Sequence, residues 1–135
     1  MDEKLRRYYL ESQVKNASPG QLLIMLYDCL IQQAERADEE ISSPEFQNNQ
    51  TQAAKSISSC INIMTELITS LRHHEDPSLC GTLSKLYLFF TREFSEAFDK
   101  RESGKIRAIL PLIRQLRDAW FQADRRASQF QVIAA

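Results

Sequence analysis

Apolar and polar positions divide the chain into four long stretches with a period near 3.6, separated by short polar breaks. The first opens in the run Asn16 to Leu30, NASPGQLLIMLYDCL. Ser18 is placed to cap a helix, Pro19 takes its first position, and Gln21 stands three residues after the cap. This is the serine/glutamine capping box, in which each side chain satisfies a backbone N–H of the first turn. The spacing predicts a helix from Ser18 to about Ile41. On a 100° wheel Leu22, Leu26, Cys29, Leu30, Gln33 and Ala37 form one stripe, assigned to the core. Ile24, Tyr27 and Ile31 form a second stripe on roughly the opposite side, with Asp28 beside it.

Ser42-Ser43-Pro44 and the polar Gln47-Asn48-Asn49-Gln50 break the pattern. A second helix is predicted from about Thr51 to Arg72, with Ile57, Cys60, Ile61, Met64, Leu67, Ile68 and Leu71 on one face and Ile63 at its edge. The loop His73 to Pro77 ends it, and Ser78 is the expected start of the third. There Leu79, Leu83, Leu86, Tyr87, Phe90, Phe94, Ala97 and Phe98 face the core, while Leu88 and Phe89 project away. After the turn Lys100 to Gly104, a fourth helix is expected to about Ala127, with Ile106, Ile109, Leu110, Ile113, Leu116, Trp120 and Phe121 inward. Pro111 inside it predicts a kink or a restart. Four such segments on short loops, with no period-2 stretch, give an all-α antiparallel four-helix bundle over residues 18–127. Residues 1–15, carrying Leu5, Tyr8, Tyr9, Leu10 and Val14, are expected to form an additional short N-terminal helix or arm. Residues 128–135 are expected to be a loose tail.

Composition then narrows the function. The chain of 135 residues is expected to be one domain, residues 1–135, and 3 glycines with 4 prolines leave little material for the turns of a sheet. A net charge of −1 and a pI near 6.1 make no electrostatic case for nucleic acid or an anionic membrane. No apolar run reaches the ~20 residues of a transmembrane span, and MDEKLRR begins no signal peptide, so a cytoplasmic location and no membrane insertion are expected. Cys29, Cys60 and Cys80 are an odd count for a disulfide framework, which agrees. His73 and His74 lie in a loop beside Glu75 and Asp76, and Cys29 and Cys60 fall on apolar faces where a thiol behaves as a small hydrophobe. No metal or cofactor is therefore expected. With no phosphate loop, nucleophile elbow or paired inward carboxylates, the sequence offers no catalyst.

A binding module remains. Ile24, Tyr27 and Ile31, with Leu88 and Phe89, are more apolar surface than a monomeric bundle usually exposes. Either the N-terminal segment covers them, or helix packing is wider than the wheel suggests, or they line a groove for an amphipathic or extended partner; cover and groove both hold if a partner displaces the segment. An adaptor of the same fold with another export or regulatory partner, and a homo-oligomer using the stripe as its interface, remain alternatives.

Tyr9, Ala17-Ser18-Pro19, then Leu22 through Leu26-Tyr27-Asp28 resemble the opening signature of the FliS family of flagellin-specific export chaperones. Leu86-Tyr87 and Leu116-Arg117-Asp118-Ala119-Trp120 continue the resemblance in order, over roughly residues 8 to 123. It implies a helical chaperone that binds the C-terminal segment of flagellin, which is disordered in the monomer. Holding that segment would prevent premature polymerisation and keep flagellin competent for flagellar type III secretion, with the export apparatus or a co-chaperone as further partners. The resemblance also implies a mobile cover, bearing Tyr9 and here Tyr8, over part of the client surface. A client that orders on binding needs a long apolar groove to offset its lost entropy. Ile24, Tyr27, Ile31, Leu88 and Phe89 are the expected client contacts. Cys29 in place of a common glycine, Phe98 in place of an asparagine, and Pro111 depart from the family pattern.

Overall fold

The computed structural model describes residues 11, 15–72 and 75–134, with side chains through Ser128. Tyr8 and Tyr9 of the expected cover, and His73 and His74, lie outside the described residues; Glu11, Lys15 and Asn16 are helical. Helix α1 spans Pro19–Ser42, and the expected capping box is present. Ser18 Oγ accepts from the Gln21 N–H at 3.2 Å, and Gln21 Oε1 accepts from the Ser18 N–H at 2.9 Å. A 3-10 turn, Pro44–Gln47, buries Phe46 and leads to α2, Thr51–Thr69. Helix α3 spans Pro77–Asp99. Its cap is Asp76, not Ser78: the carboxylate accepts from the Leu79 N–H at 3.0 Å, and Pro77 takes the first helical position.

Helix α3 stops through backbone geometry. Arg101 adopts a left-handed φ of 56°, and the Glu102 N–H returns to the Ala97 carbonyl at 2.9 Å. That is the bond of a Schellman stop, here without the usual glycine. Helix α4 then runs Gly104–Ala134. It is continuous through Pro111, where a break was expected. Pro111 and Arg107, whose carbonyl loses its partner, are both exposed, so water can serve the freed oxygen. It also continues past Ala127, where a loose tail was expected, because no glycine or proline follows Pro111 to stop it.

The helices close a ring: α1 packs on α2, α2 on α3, α3 on α4, and α4 back on α1. The α1–α2 and α1–α4 seams are the most extensive and the α3–α4 seam the thinnest. Polar pairs fix the antiparallel register of α1 and α4. Ser42 Oγ donates to Ser103 Oγ at 2.9 Å, Arg107 pairs with Asp38 at 3.2 Å, Arg114 pairs with Glu35, and Arg117 pairs with Asp28 at 2.9 Å. At the far end Asp124 stands against Gly20, so close that a Cβ there would meet its carboxylate at 2.1 Å. The α1–α2 register follows from Ser56 Oγ, which donates to Glu40 at 3.0 Å.

The core differs from the wheel reading in α1. Ile24, Tyr27, Leu30, Ala34, Ala37 and Ile41 are the buried line, and Tyr27, Leu30, Ala34 and Ala37 are 0% exposed. The stripe read as outward is therefore mostly inner. Leu22 and Leu26 are only half-buried, and Cys29 is exposed. The physical reason is that α1 is pressed from two sides. Helices α2 and α4 both pack on it, and Ala34 and Ala37, fully buried, need little room on the line between them. In α2 the buried residues include Ile57, Cys60, Ile63, Met64 and Leu67, close to the expected face. In α3 Leu83, Tyr87, Phe90, Phe94 and Ala97 are buried as read, whereas Leu79 in the first turn is 45% exposed. Ile106, Ile109, Leu110 and Ile113 of α4 are buried.

Candidate functional site

One end of the bundle is open. The start of α1, the end of α2, the start of α3 and the stretch of α4 from Trp120 to Asp124 meet there around an apolar cleft of about 640 Å³. Leu22, Leu23 and Leu26 form its α1 wall, with Pro19 and Gly20 at the rim; Trp120, Ala123 and Asp124 form its α4 wall. A second lobe of about 290 Å³ reaches toward α3 past Leu79, Cys80 and Leu83. Leu23, Ser70, Arg72, Glu75 and Trp120 line both lobes, so the two make one recess. Space of this size takes several side chains of a partner, within the range of ordinary binding clefts.

The local sequence explains the opening. Ser70 ends α2 by donating its hydroxyl to the Leu67 carbonyl at 2.9 Å, and Asp76 begins α3, so the loop between them stands aside at this end. Leucines follow immediately after the α1 cap, before the helix is pressed between its neighbours. The rim carries Arg72, Glu75, Asp76 and Asp124, with Arg72 ion-paired to Glu75 at 3.3 Å.

Beneath the cleft lies a hydrogen-bonded aromatic cluster. The hydroxyls of Tyr27 in α1 and Tyr87 in α3 stand 2.6 Å apart, and Trp120 in α4 donates its indole N–H to Tyr27 Oη at 3.3 Å. Burial pushes both phenols above their ordinary range; the neighbouring Tyr87 reinforces this at Tyr27, while hydrogen bonds partly offset it at Tyr87. Tyr27 is thus a tie between three helices. Its burial, and the 8% exposure of Ile24, remove the ground for reading these two as partner contacts. Ile31 is half-buried and packs against the core. Leu88 at 59% and Phe89 at 37% exposure do project outward from α3.

Phe89 has a neighbour that the wheel did not use. Lys105 of α4 pairs with Glu93 at 3.5 Å and Glu96 at 3.0 Å, which sets the α3–α4 register. Two turns on from Lys105 stands Leu112, 43% exposed, and one turn back from Glu93 stands Phe89, so both edge the same seam. Arg92 lies over the Phe89 ring at 5.8 Å. The cleft and this outer patch are both apolar surfaces of the described residues. Leu23 falls on neither stripe of the wheel, and Leu22 and Leu26 fall on the one assigned to the core. The signal available was the crowding of leucines beside the cap, more than one inward line can use.

Among the described residues no helix is long and apolar enough to cross a membrane, and no three His, Cys, Asp or Glu cluster as a metal site. The family model described as flagellar protein FliS matches residues 1–127. Two similar proteins both carry the name flagellar secretion chaperone FliS. The one from Bacillus subtilis (strain 168) is 25% identical over 115 residues, covering 85% of this chain and 82% of the relative. The one from Escherichia coli (strain K12) is 30% identical over 112 residues, covering 82% and 79%.

Proposed function

Since the chain belongs to the FliS family of flagellar secretion chaperones, which are not enzymes, we propose that it binds the C-terminal segment of flagellin in the cleft at the open end of its bundle. Holding that segment prevents premature polymerisation and keeps flagellin competent for flagellar type III export. The observation that supports this best is the leucine wall of α1. Leu22, Leu23 and Leu26 lie half-buried along a recess of about 640 Å³, where a single-domain core would be expected to close over them. Tyr8 and Tyr9 fit a displaceable cover, because the residues that precede α1 join it at Pro19, on the cleft rim. Leu88 and Phe89, with Leu112 across the α3–α4 seam from Phe89, offer the client exposed apolar side chains outside the cleft.

Calorimetric titration of the full chain with a synthetic flagellin C-terminal peptide tests the reading. Binding at one to one, with a large negative heat-capacity change, is the expected result, since a disordered segment then folds onto apolar surface. Leu23→Asp should abolish the heat while the helical circular-dichroism signal and a cooperative melt persist. A folded wild-type monomer that gives no heat would refute the assignment of this client.

A further inference from the structure

The aromatic cluster under the cleft holds one proton too many. Trp120 Nε1–H, Tyr27 Oη–H and Tyr87 Oη–H are three donors that converge on two phenolic oxygens. The tryptophan uses Tyr27 Oη as its acceptor, and one phenol donates to the other across 2.6 Å. The remaining O–H has no acceptor in the cluster. If Tyr87 donated to Tyr27, the surplus proton would be trapped on Tyr27, which is 0% exposed and lines neither lobe. If Tyr27 donates to Tyr87, the surplus proton belongs to Tyr87, which is almost as buried, at 1% exposure, but is part of the wall of the 290 Å³ lobe. An unmade hydrogen bond in a buried place is costly, so the second arrangement is favoured.

We propose that the Tyr87 hydroxyl is a donor subsite in the floor of the cleft, taking a neutral amide oxygen from the apolar peptide that occupies it. The occupant rests on the client reading above; the donor rests on the cluster alone. A neutral oxygen is specified by the rim. Among the described residues Glu75, Asp76 and Asp124 stand around the two lobes with Arg72 the one guanidinium, and Arg72 is already paired with Glu75. A carboxylate entering there meets like charge and must also shed its water. An amide oxygen meets neither obstacle, and leucine walls on both sides seat the carbons around it. The subsite thus selects apolar segments in which a carbonyl is free, such as the end of a helical turn or an Asn or Gln side chain.

The test uses hexanamide as a neutral probe and hexanoate as its charged counterpart, titrated into the full chain. Trp120, the single tryptophan, lines both lobes and reports by fluorescence. Hexanamide should bind more tightly than hexanoate at pH 7. Tyr87→Phe should weaken hexanamide about five-fold, the loss of one neutral hydrogen bond, while the amide stays ahead of the acid because the rim charges are untouched. Tyr27→Phe, which leaves the Tyr87 donor in place, should change it less than two-fold. Equal binding of the two probes, or equal effects of the two substitutions, would overturn the subsite. Should Tyr87→Phe fail to fold, the wild type decides by comparing hexanamide with 2-methyl-1-heptene, which has the same shape but no acceptor oxygen. The donor requires the amide to bind about five-fold more tightly than the alkene, and equal binding overturns it. The flagellin peptide is run in parallel. Its failure to bind beside a normal hexanamide result would refute the client and leave the donor standing.

Discussion

Inserting bulk at Ala34 tests the inner line of α1, the feature on which the fold and the site both turn. Ala34 is 0% exposed, midway between Leu30 and Ala37, which are also 0% exposed, on the helix that packs against both α2 and α4. Ala34→Leu adds three carbons at a position with no exposed surface. Overpacking of this kind costs about 1–3 kcal/mol. On an exposed face the same change would cost only a few tenths, because alanine and leucine differ little in helix propensity. Cys29→Lys is the mirror experiment. The wheel stripe through Leu22, Leu26 and Cys29 would make it ruinous, whereas the exposed thiol of the structure makes it worth about ±0.5 kcal/mol. Urea unfolding followed by circular dichroism measures both. With a slope of roughly 2 kcal/mol per molar, Ala34→Leu should lower the midpoint by about 0.5–1.5 M, and Cys29→Lys by no more than about 0.25 M. A variant Ala34→Leu as stable as the parent, with Cys29→Lys strongly destabilised, would refute the assignment of α1's buried line.

Three further outcomes follow from the same coordinates. Leu88→Asp should leave the unfolding midpoint within about 0.5 kcal/mol of the parent, since the side chain is 59% exposed, yet weaken the flagellin peptide in calorimetry; unchanged affinity would remove the outer patch from the client surface. Both buried phenols titrate above their ordinary value of about 10 in the folded state, so their stabilisation is complete below that pH and is lost as pH rises through it. Unfolding midpoints from pH 8 to 11 should therefore fall, at up to about 1.4 kcal/mol per pH unit for each phenol, and Tyr27→Phe should fall less steeply; parallel curves would contradict the buried pair. Burial pushes the Cys60 thiol up to about 12, and Cys80 is buried while Cys29 is exposed. A thiol reagent at pH 8 should thus label Cys29 quickly, Cys80 more slowly through the cleft lobe it lines, and Cys60 only with unfolding, as peptide mapping would show.

The number, order and approximate limits of the helices were legible because caps and breakers mark them. Ser18, Pro19 and Gln21 foretold the first turn of α1 to the residue, and the faces of α2 and of most of α3 followed from unbroken periodicity. The failures share a cause. α1 carries apolar residues nearly all round its first half, so periodicity alone admits two lines. The choice lies with Ala34 and Ala37, whose small size matters only once two helices are known to press there. Leu79 was misplaced because first-turn residues stand beyond the reach of the opposing helices. Tyr27 shows the limit most clearly. A tyrosine on an apolar stripe looks like a surface contact until its hydroxyl is found against Tyr87 and Trp120, residues 60 and 93 positions away. Continuity through Pro111 depended on exposure, which the sequence does not print.

The unequal seams of the ring have a kinetic consequence. Helix α1 is gripped along both flanks, whereas α3 is held firmly by α2 and only lightly by α4. Local opening should then be ordered: amides of α1 exchange with solvent at the rate of global unfolding, and the α3–α4 seam parts earlier, as a separate cooperative unit. Leu86 and Leu116, half-buried on either side of that seam, would be uncovered next to Phe89 and Leu112 when it parts. The outer patch is in this sense elastic, able to enlarge its apolar area for a partner without disturbing the helix that carries the leucine wall.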